Sequence, residues 1–221
     1  MTEILLNAFI TLFVVIDPLG IVPIFVALTK EGSAAYRRRM AVRAALVASG
    51  VLLVFALGGK FLLDRLGIGL PAFRVAGGVM LFLIALEMVF EKRAQRRSHS
   101  AEEAMKHGDD TTDSGPAQTH VPDDVSVFPL AVPLMAGPGA IASVMLLMSK
   151  AHGDVLTQGA LIGVLLLVMV LCLIGFLLSE YLQRIMNETV TNIISRLLGM
   201  LLAALAIQYV FDGLRAEILT G

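Results

Sequence analysis

Charge is what this chain has least of. Only 16% of its 221 residues are Asp, Glu, Lys or Arg, and 57% are hydrophobic. A soluble domain carries about 25% charged and roughly 45–50% apolar residues. The formal net charge is −1 and no basic stripe with interleaved aromatics appears, so nucleic acid is not an expected partner. Tryptophan is absent, which removes the best side chain for an aromatic cage around a cation. The one cysteine, Cys172, lies in an apolar block and has no second sulfur for a disulfide or a thiol relay. HExxH, GxSxG and paired cysteines are missing too, so neither an enzyme nor a bound cofactor is expected.

What the chain does have is long apolar runs and a mean hydropathy of +0.83. Six blocks are long enough to cross a bilayer: Ile4–Leu28, Met40–Leu63, Ala72–Phe90, Phe128–Met148, Val155–Leu182 and Ile193–Leu214. In lipid each must be helical, because no water is available to backbone groups left unpaired. Glu3 stands where a signal peptide would carry positive charge, so the first block is expected to remain as a span. Between the third and fourth blocks runs "EKRAQRRSHSAEEAMKHGDDTTDSGPAQTHVPDDVS", polar and without apolar periodicity. Residues 91–126 therefore read as a disordered cytoplasmic linker. Its histidines, His99, His107 and His120, have nothing to fix a ligand geometry, and no metal site is expected there.

Lysine and arginine cluster in the first loop (Lys30, Arg37, Arg38, Arg39) and at the start of the linker (Lys92, Arg93, Arg96, Arg97). The positive-inside rule makes those loops cytoplasmic and puts both termini on the other side.

The two halves resemble each other. "FRVAGGVMLFLIALEMV" (Phe73–Val89) aligns with "SRLLGMLLAALAIQYV" (Ser195–Val210) with one gap, setting Arg74 against Arg196, Gly77 against Gly199 and Glu87 against Gln208. Pro18 falls against Pro138. An odd number of spans per half turns the second copy upside down, a recurring transporter plan. The fold expected is an all-α membrane protein of six transmembrane helices. Residues 1–90 and 127–221 form two inverted three-helix repeats, with helices 1 and 4 interrupted near mid-membrane.

Those interruptions carry the functional reading. "VVIDPLGIVPIF" (Val14–Phe25) and "PLMAGPGAIASV" (Pro133–Val144) put Asp17-Pro18 and Gly137-Pro138 near the centres of oily runs. Proline breaks a helix just before itself and suits the first position of a new one. Each second half-helix then starts at mid-bilayer with bare N–H groups and a partial positive charge, which favour an anion. Freed carbonyls upstream would accept from an ammonium group. Small residues surround both breaks. The candidate substrate site is Asp17, Pro18, Gly20, Gly137, Pro138, Gly139 and Ser143, and the solute that fits is a small zwitterion. Asp17 reads as an N-cap and also as a proton-coupling group, since a carboxyl at mid-bilayer is costly. Glu87, Gln208, Arg74 and Arg196 are gate or pocket candidates.

"DPLGIVPIF", "PLAVPLMAGPGAIA" and "SRLLGMLLAALAIQYV" together resemble the MarC family of bacterial inner-membrane proteins, also described as six-span neutral amino-acid transporters. The resemblance covers nearly all of the chain outside the linker. It implies a multi-pass inner-membrane protein that moves small neutral amino acids with proton coupling. The expected function is therefore a secondary transporter, with an aquaporin-like channel or a non-transporting structural or sensory protein as alternatives. Expected partners are the lipid bilayer and a small-molecule solute, with association into a homo-oligomer left open.

Overall fold

The computed structural model describes residues 2–30, 32–90, 124–151, 154–179, 181 and 188–220. Among these, every regular element is helical: α1 (Thr2–Ile16), α2 (Pro18–Leu28), α3 (Ala34–Leu66), α4 (Leu70–Val89), an irregular α5 (Ser126–Met135), α6 (Pro138–Lys150), α7 (Val155–Leu177) and α8 (Glu188–Thr220). Thr2–Leu28, Ala34–Leu66, Leu70–Val89, Val155–Leu177 and Ile193–Ile218 are each long and apolar enough to cross a membrane. α5 and α6 meet at 56° and make a sixth span if taken together. The linker expected over 91–126, with its three histidines, lies outside the described residues except for Asp124, Val125 and Ser126.

Helix ends follow caps rather than the edges of apolar runs. α3 starts well before Met40 because Ser33 Oγ accepts from the Tyr36 N–H at 3.2 Å. It stops at Gly67, whose φ of 67° places it in the left-handed region where glycine carries no Cβ penalty. α7 starts at Asp154, whose carboxylate accepts from the Leu156 N–H at 3.1 Å and from the Thr157 hydroxyl.

The first half of span four is not the plain helix its composition suggests. Phe128 (φ −129°, ψ 126°) and Val132 (φ −129°, ψ 124°) are extended, and each precedes a proline across a cis bond. Proline pushes the residue before it out of the α region, and two prolines four positions apart do so on successive turns. The backbone answers with wider hydrogen bonds, Leu130 N–H to Val125 O at 3.3 Å and Ala136 N–H to Ala131 O at 2.8 Å. Pro129 and Pro133 together reshape the whole segment.

Thr2–Leu28 is the most enclosed span, 61% buried against 22% to 39% for the other four continuous spans. α6 lies beside it, with Gly139, Ala140 and Ala142–Leu147 all buried. α3 and α7 pack against one another and against these central helices, while α4 and α8 run together as a long pair next to α1 and α6. Alanines 41, 44, 45, 48 and 56 line the buried face of α3, a face smooth enough for α5 and α6 to approach closely. Large apolar side chains such as Leu46, Val54 and Phe61 on α3, Leu167 on α7, and Leu197, Leu201 and Phe211 on α8 are exposed and contact the bilayer.

Glycine sets the distance between α4 and α8. A Cβ on Gly78 would lie 2.8 Å from Ala206 O, one on Gly213 2.8 Å from Pro71 O, and one on Gly199 2.9 Å from Met88 Cβ. These contacts make the pair antiparallel. Association of helices in lipid depends on such close packing because burying Leu against lipid-like neighbours gains little. Gly78→Ala should therefore cost about 1–3 kcal/mol, the price of overpacking. Gly58→Ala, where nothing lies within 4 Å of the new methyl, should be neutral or stabilise by up to about 1 kcal/mol. Unfolding of both variants in detergent separates the two outcomes.

Outside the spans, Asp124 ties the entry of α5 to α3: its carboxylate accepts from the Ser126 hydroxyl and N–H and pairs with Arg43. The Ser126 hydroxyl, more than Arg43, lowers its pKa below the ordinary 3.8. A depressed carboxylate stabilises the fold above its unfolded pKa and loses that contribution as pH falls through the folded value. Asp124→Asn should cost at most about 1 kcal/mol near pH 6, since the pair is largely exposed. The gap in melting temperature to wild type should begin to close as pH falls to about the ordinary 3.8 and vanish only below the lower folded pKa, where wild-type Asp124 protonates.

Candidate functional site

At Asp17 the backbone turns through the left-handed region, φ 57° and ψ 68°, the one non-glycine residue to do so among those described. Aspartate is among the few side chains that tolerate it. Its N–H donates to Phe13 O at 2.9 Å, closing the α1 ladder, and its carbonyl accepts from Ile21 N–H at 3.2 Å, opening that of α2. Pro18 has no N–H to lose. The carboxylate folds over the helix start and accepts from the Gly20 N–H at 3.0 Å. A Cβ on Gly20 would overlap that carboxylate, which explains the glycine. Asp17 is 7% exposed. Val14, Val15, Ile16 and Asp17 each keep an interaction partner.

The matching place in span four is built differently. Gly137 precedes α6 with φ −75° and ψ 171° and has no side chain to cap it. A Cβ there would sit 2.6 Å from Pro133 O. The start of α6 therefore keeps its N–H groups without a side-chain acceptor, while α2 has a carboxylate of its own.

Tertiary packing brings the two places together. Buried Gly139 is pressed by Ile84 of α4, and Val15 of α1 comes within 3.5 Å of its Cβ position. Pro18 is buried whereas Pro138 is exposed. Ser143 is fully buried and its hydroxyl donates to Gly139 O at 2.8 Å, so it is committed within α6. A cleft of about 10 Å³, room for at most one water, opens beyond Leu12 between Ala56, Val144, Leu147 and Leu165. Its lining is apolar, and neither Asp17 nor Gly137 borders it.

The four gate candidates separate into two pairs. With α4 and α8 antiparallel, Arg74 and Gln208 share one end of the bundle, and Glu87 and Arg196 the other. Glu87 is half-buried and Arg196 exposed, and each has a partner. Arg74 and Gln208 belong to a polar cluster that sequence reasoning missed. Lys150 Nζ lies 3.2 Å from Asp212 Oδ2 and 4.3 Å from the centroid of the Tyr209 ring, and Gln208 Nε2 donates to Asp212 Oδ1 at 2.8 Å. Asp212 inside the last apolar block was the available signal, since an intramembrane carboxylate is functional by default. Thr11, fully buried nearby, gave none.

Residues 2–218 match the MarC family of integral membrane proteins. The chain belongs to that family. It is 32% identical to a UPF0056 membrane protein of Archaeoglobus fulgidus, over 96% of this chain and 93% of the relative. A UPF0056 membrane protein of Bacillus subtilis, YvbG, is 33% identical over 97% and 96%, and one of Escherichia coli, YhcE, 32% over 94% and 90%. No solved structure matches. This chain is thus a multi-pass integral membrane protein, and these relatives align over nearly its full length.

The cap at Asp17 has a direct test. Asp17→Ala loses the acceptor for Gly20 and leaves an unsupported left-handed residue, for about 2–4 kcal/mol in all. Asn caps as well as Asp and suits the same backbone, so Asp17→Asn should stay within about 0.5 kcal/mol of wild type. Thermal unfolding in detergent orders the three proteins; an Asn variant as unstable as the Ala one would mean that the charge, not the cap, holds the junction.

Proposed function

We propose that this MarC protein is a secondary transporter of small neutral amino acids or similar zwitterions, coupled to protons, in the bacterial inner membrane with both termini periplasmic. The observation that carries the reading is the junction of the two helix starts. An aspartate-capped start and an uncapped one lie next to each other, joined through Val15 and Gly139. A carboxylate beside an open helix N-terminus is the electrostatic complement of a molecule carrying both an ammonium and a carboxylate. Glycine and alanine at 20, 136, 137, 139 and 140 keep the side chains around both helix starts small.

The pairing of the two halves supports the same reading. Each span packs on its counterpart from the other half: the first on the fourth through α1 and α6, the second on the fifth as α3 on α7, and the third on the sixth as α4 on α8. Within the last pair the contacts are reciprocal to within one residue. Gly78 meets the stretch around Gln208, and Gly199 meets the stretch around Glu87, the residue that aligns with Gln208. Two halves related by an axis in the membrane plane would produce this reciprocity, and such repeats place their site at the shared interface. In this reading Asp17 carries the coupling proton, and the protein is a carrier rather than an enzyme.

Uptake of labelled alanine into proteoliposomes should saturate and rise with an imposed proton gradient. Asp17→Asn should keep alanine exchange and lose the gradient's effect. Unsaturable flux would point to a channel, and no flux in any direction would overturn transport altogether.

A further inference from the structure

Among the described residues, two buried side-chain polar atoms have no hydrogen-bond partner, Thr11 Oγ1 and Arg74 Nε. Both fall in one place, the polar cluster where α1, α4, α6 and α8 converge. Buried polar atoms are nearly always paired, and an orphan in a native fold calls for an explanation. Two orphans from different helices, both acting on Tyr209, call for a shared one.

The charges nearby supply it. Among the described residues the carboxylate in contact with Lys150 is that of Asp212, and its oxygens already accept from Gln208 and Lys150. Arg74 acts on Asp212 and on Tyr209 only through space. Two cations thus face one anion. The Thr11 hydroxyl approaches the Tyr209 phenol, short of hydrogen-bond geometry. The floor is closed, with Thr11 0% and Tyr209 4% exposed, while the Lys150–Asp212 bridge above it is open, its side chains 37% and 34% exposed. The cluster is a funnel: a half-exposed ion pair over a dry floor of donors, with Arg74 Nε unpaired beside it.

We propose that this funnel binds an oxyanion, the carboxylate of a solute or the phosphate of a lipid headgroup. The anion accepts from Arg74 Nε and from the Thr11 and Tyr209 hydroxyls, and competes with Asp212 for Lys150. Guanidinium favours carboxylate and phosphate because its donors lie in a planar fork. Asp212 is then a resident stand-in for the ligand, which keeps the cluster neutral enough to persist when empty. The site does not rest on the transport reading, because binding requires no flux.

The test uses the full-length protein in neutral detergent, titrated at constant ionic strength with sodium acetate, with inorganic phosphate and with dispersed phosphatidylglycerol, following the melting temperature. At least one probe should raise it in a saturable way. Asp212→Asn, which removes the internal competitor, should tighten that probe's binding roughly fivefold, the equivalent of one partly exposed ion pair. Arg74→Gln should abolish the effect. A response to acetate or phosphate identifies a soluble ligand; a response confined to phosphatidylglycerol identifies a headgroup, and either supports the site. If no probe gives a saturable shift that Asp212→Asn strengthens, the proposal falls. Because Asp212→Asn predicts a gain, that outcome stands even where Arg74→Gln fails to fold.

Discussion

A backbone amide surrounded by hydrocarbon finds its hydrogen bond within the chain or does without, and each departure from plain helix in this protein bears the mark of that limit. At Asp17 one residue serves two helices: its N–H ends the first ladder, its carbonyl begins the second, and its carboxylate takes the Gly20 N–H. Glycine at position 20 exists to make room for that carboxylate. Four consecutive residues, Asp-Pro-Leu-Gly, thereby carry the chain from α1 into α2 with almost every backbone group still bonded. The Gly137-Pro138 junction solves the same problem only halfway, and the N–H groups it leaves over are what make it chemically interesting.

Close packing then decides where these junctions sit. Side-chain burial drives little association in lipid, so helices meet where small residues let their backbones approach. The alanine face of α3 admits the irregular α5, and the glycines of α4 and α8 bring that pair within backbone contact. α1 and α6 are held between these layers, and Gly139 lets Val15 and Ile84 close on the start of α6. The polar groups follow the same constraint of space. Those deep in the bundle, Asp17 and Ser143, are satisfied within their own helices, whereas those toward one end of α4, α6 and α8 combine across helices and leave Arg74 and Thr11 short of partners.

Much of this is legible in the sequence. The six apolar blocks, the cap at Asp17 and the new helix starts at Pro18 and Pro138 follow from local rules that need only neighbouring residues: hydropathy over about 20 positions, the missing proline N–H, the reach of a short carboxylate. The behaviour of α5 is equally local, since Phe128 and Val132 each precede proline. A rule applied to one proline at a time misses it, because the effect comes from two on successive turns.

What the sequence alone determined, then, is the membrane class, the family and the positions at which the helical ladder stops, because each depends on chemistry within a few residues or on a long shared pattern. Tertiary structure decided which of those positions meet. That Gly139 touches Val15, that Arg74 and Gln208 part from Glu87 and Arg196, and that Lys150, Asp212, Tyr209 and Thr11 gather into one cluster all depend on how helices remote in sequence lie side by side. Hydropathy fixes how far a helix extends through the bilayer but not its rotation about its own axis, and it is that rotation, set by small-residue contacts, that chooses a side chain's neighbours.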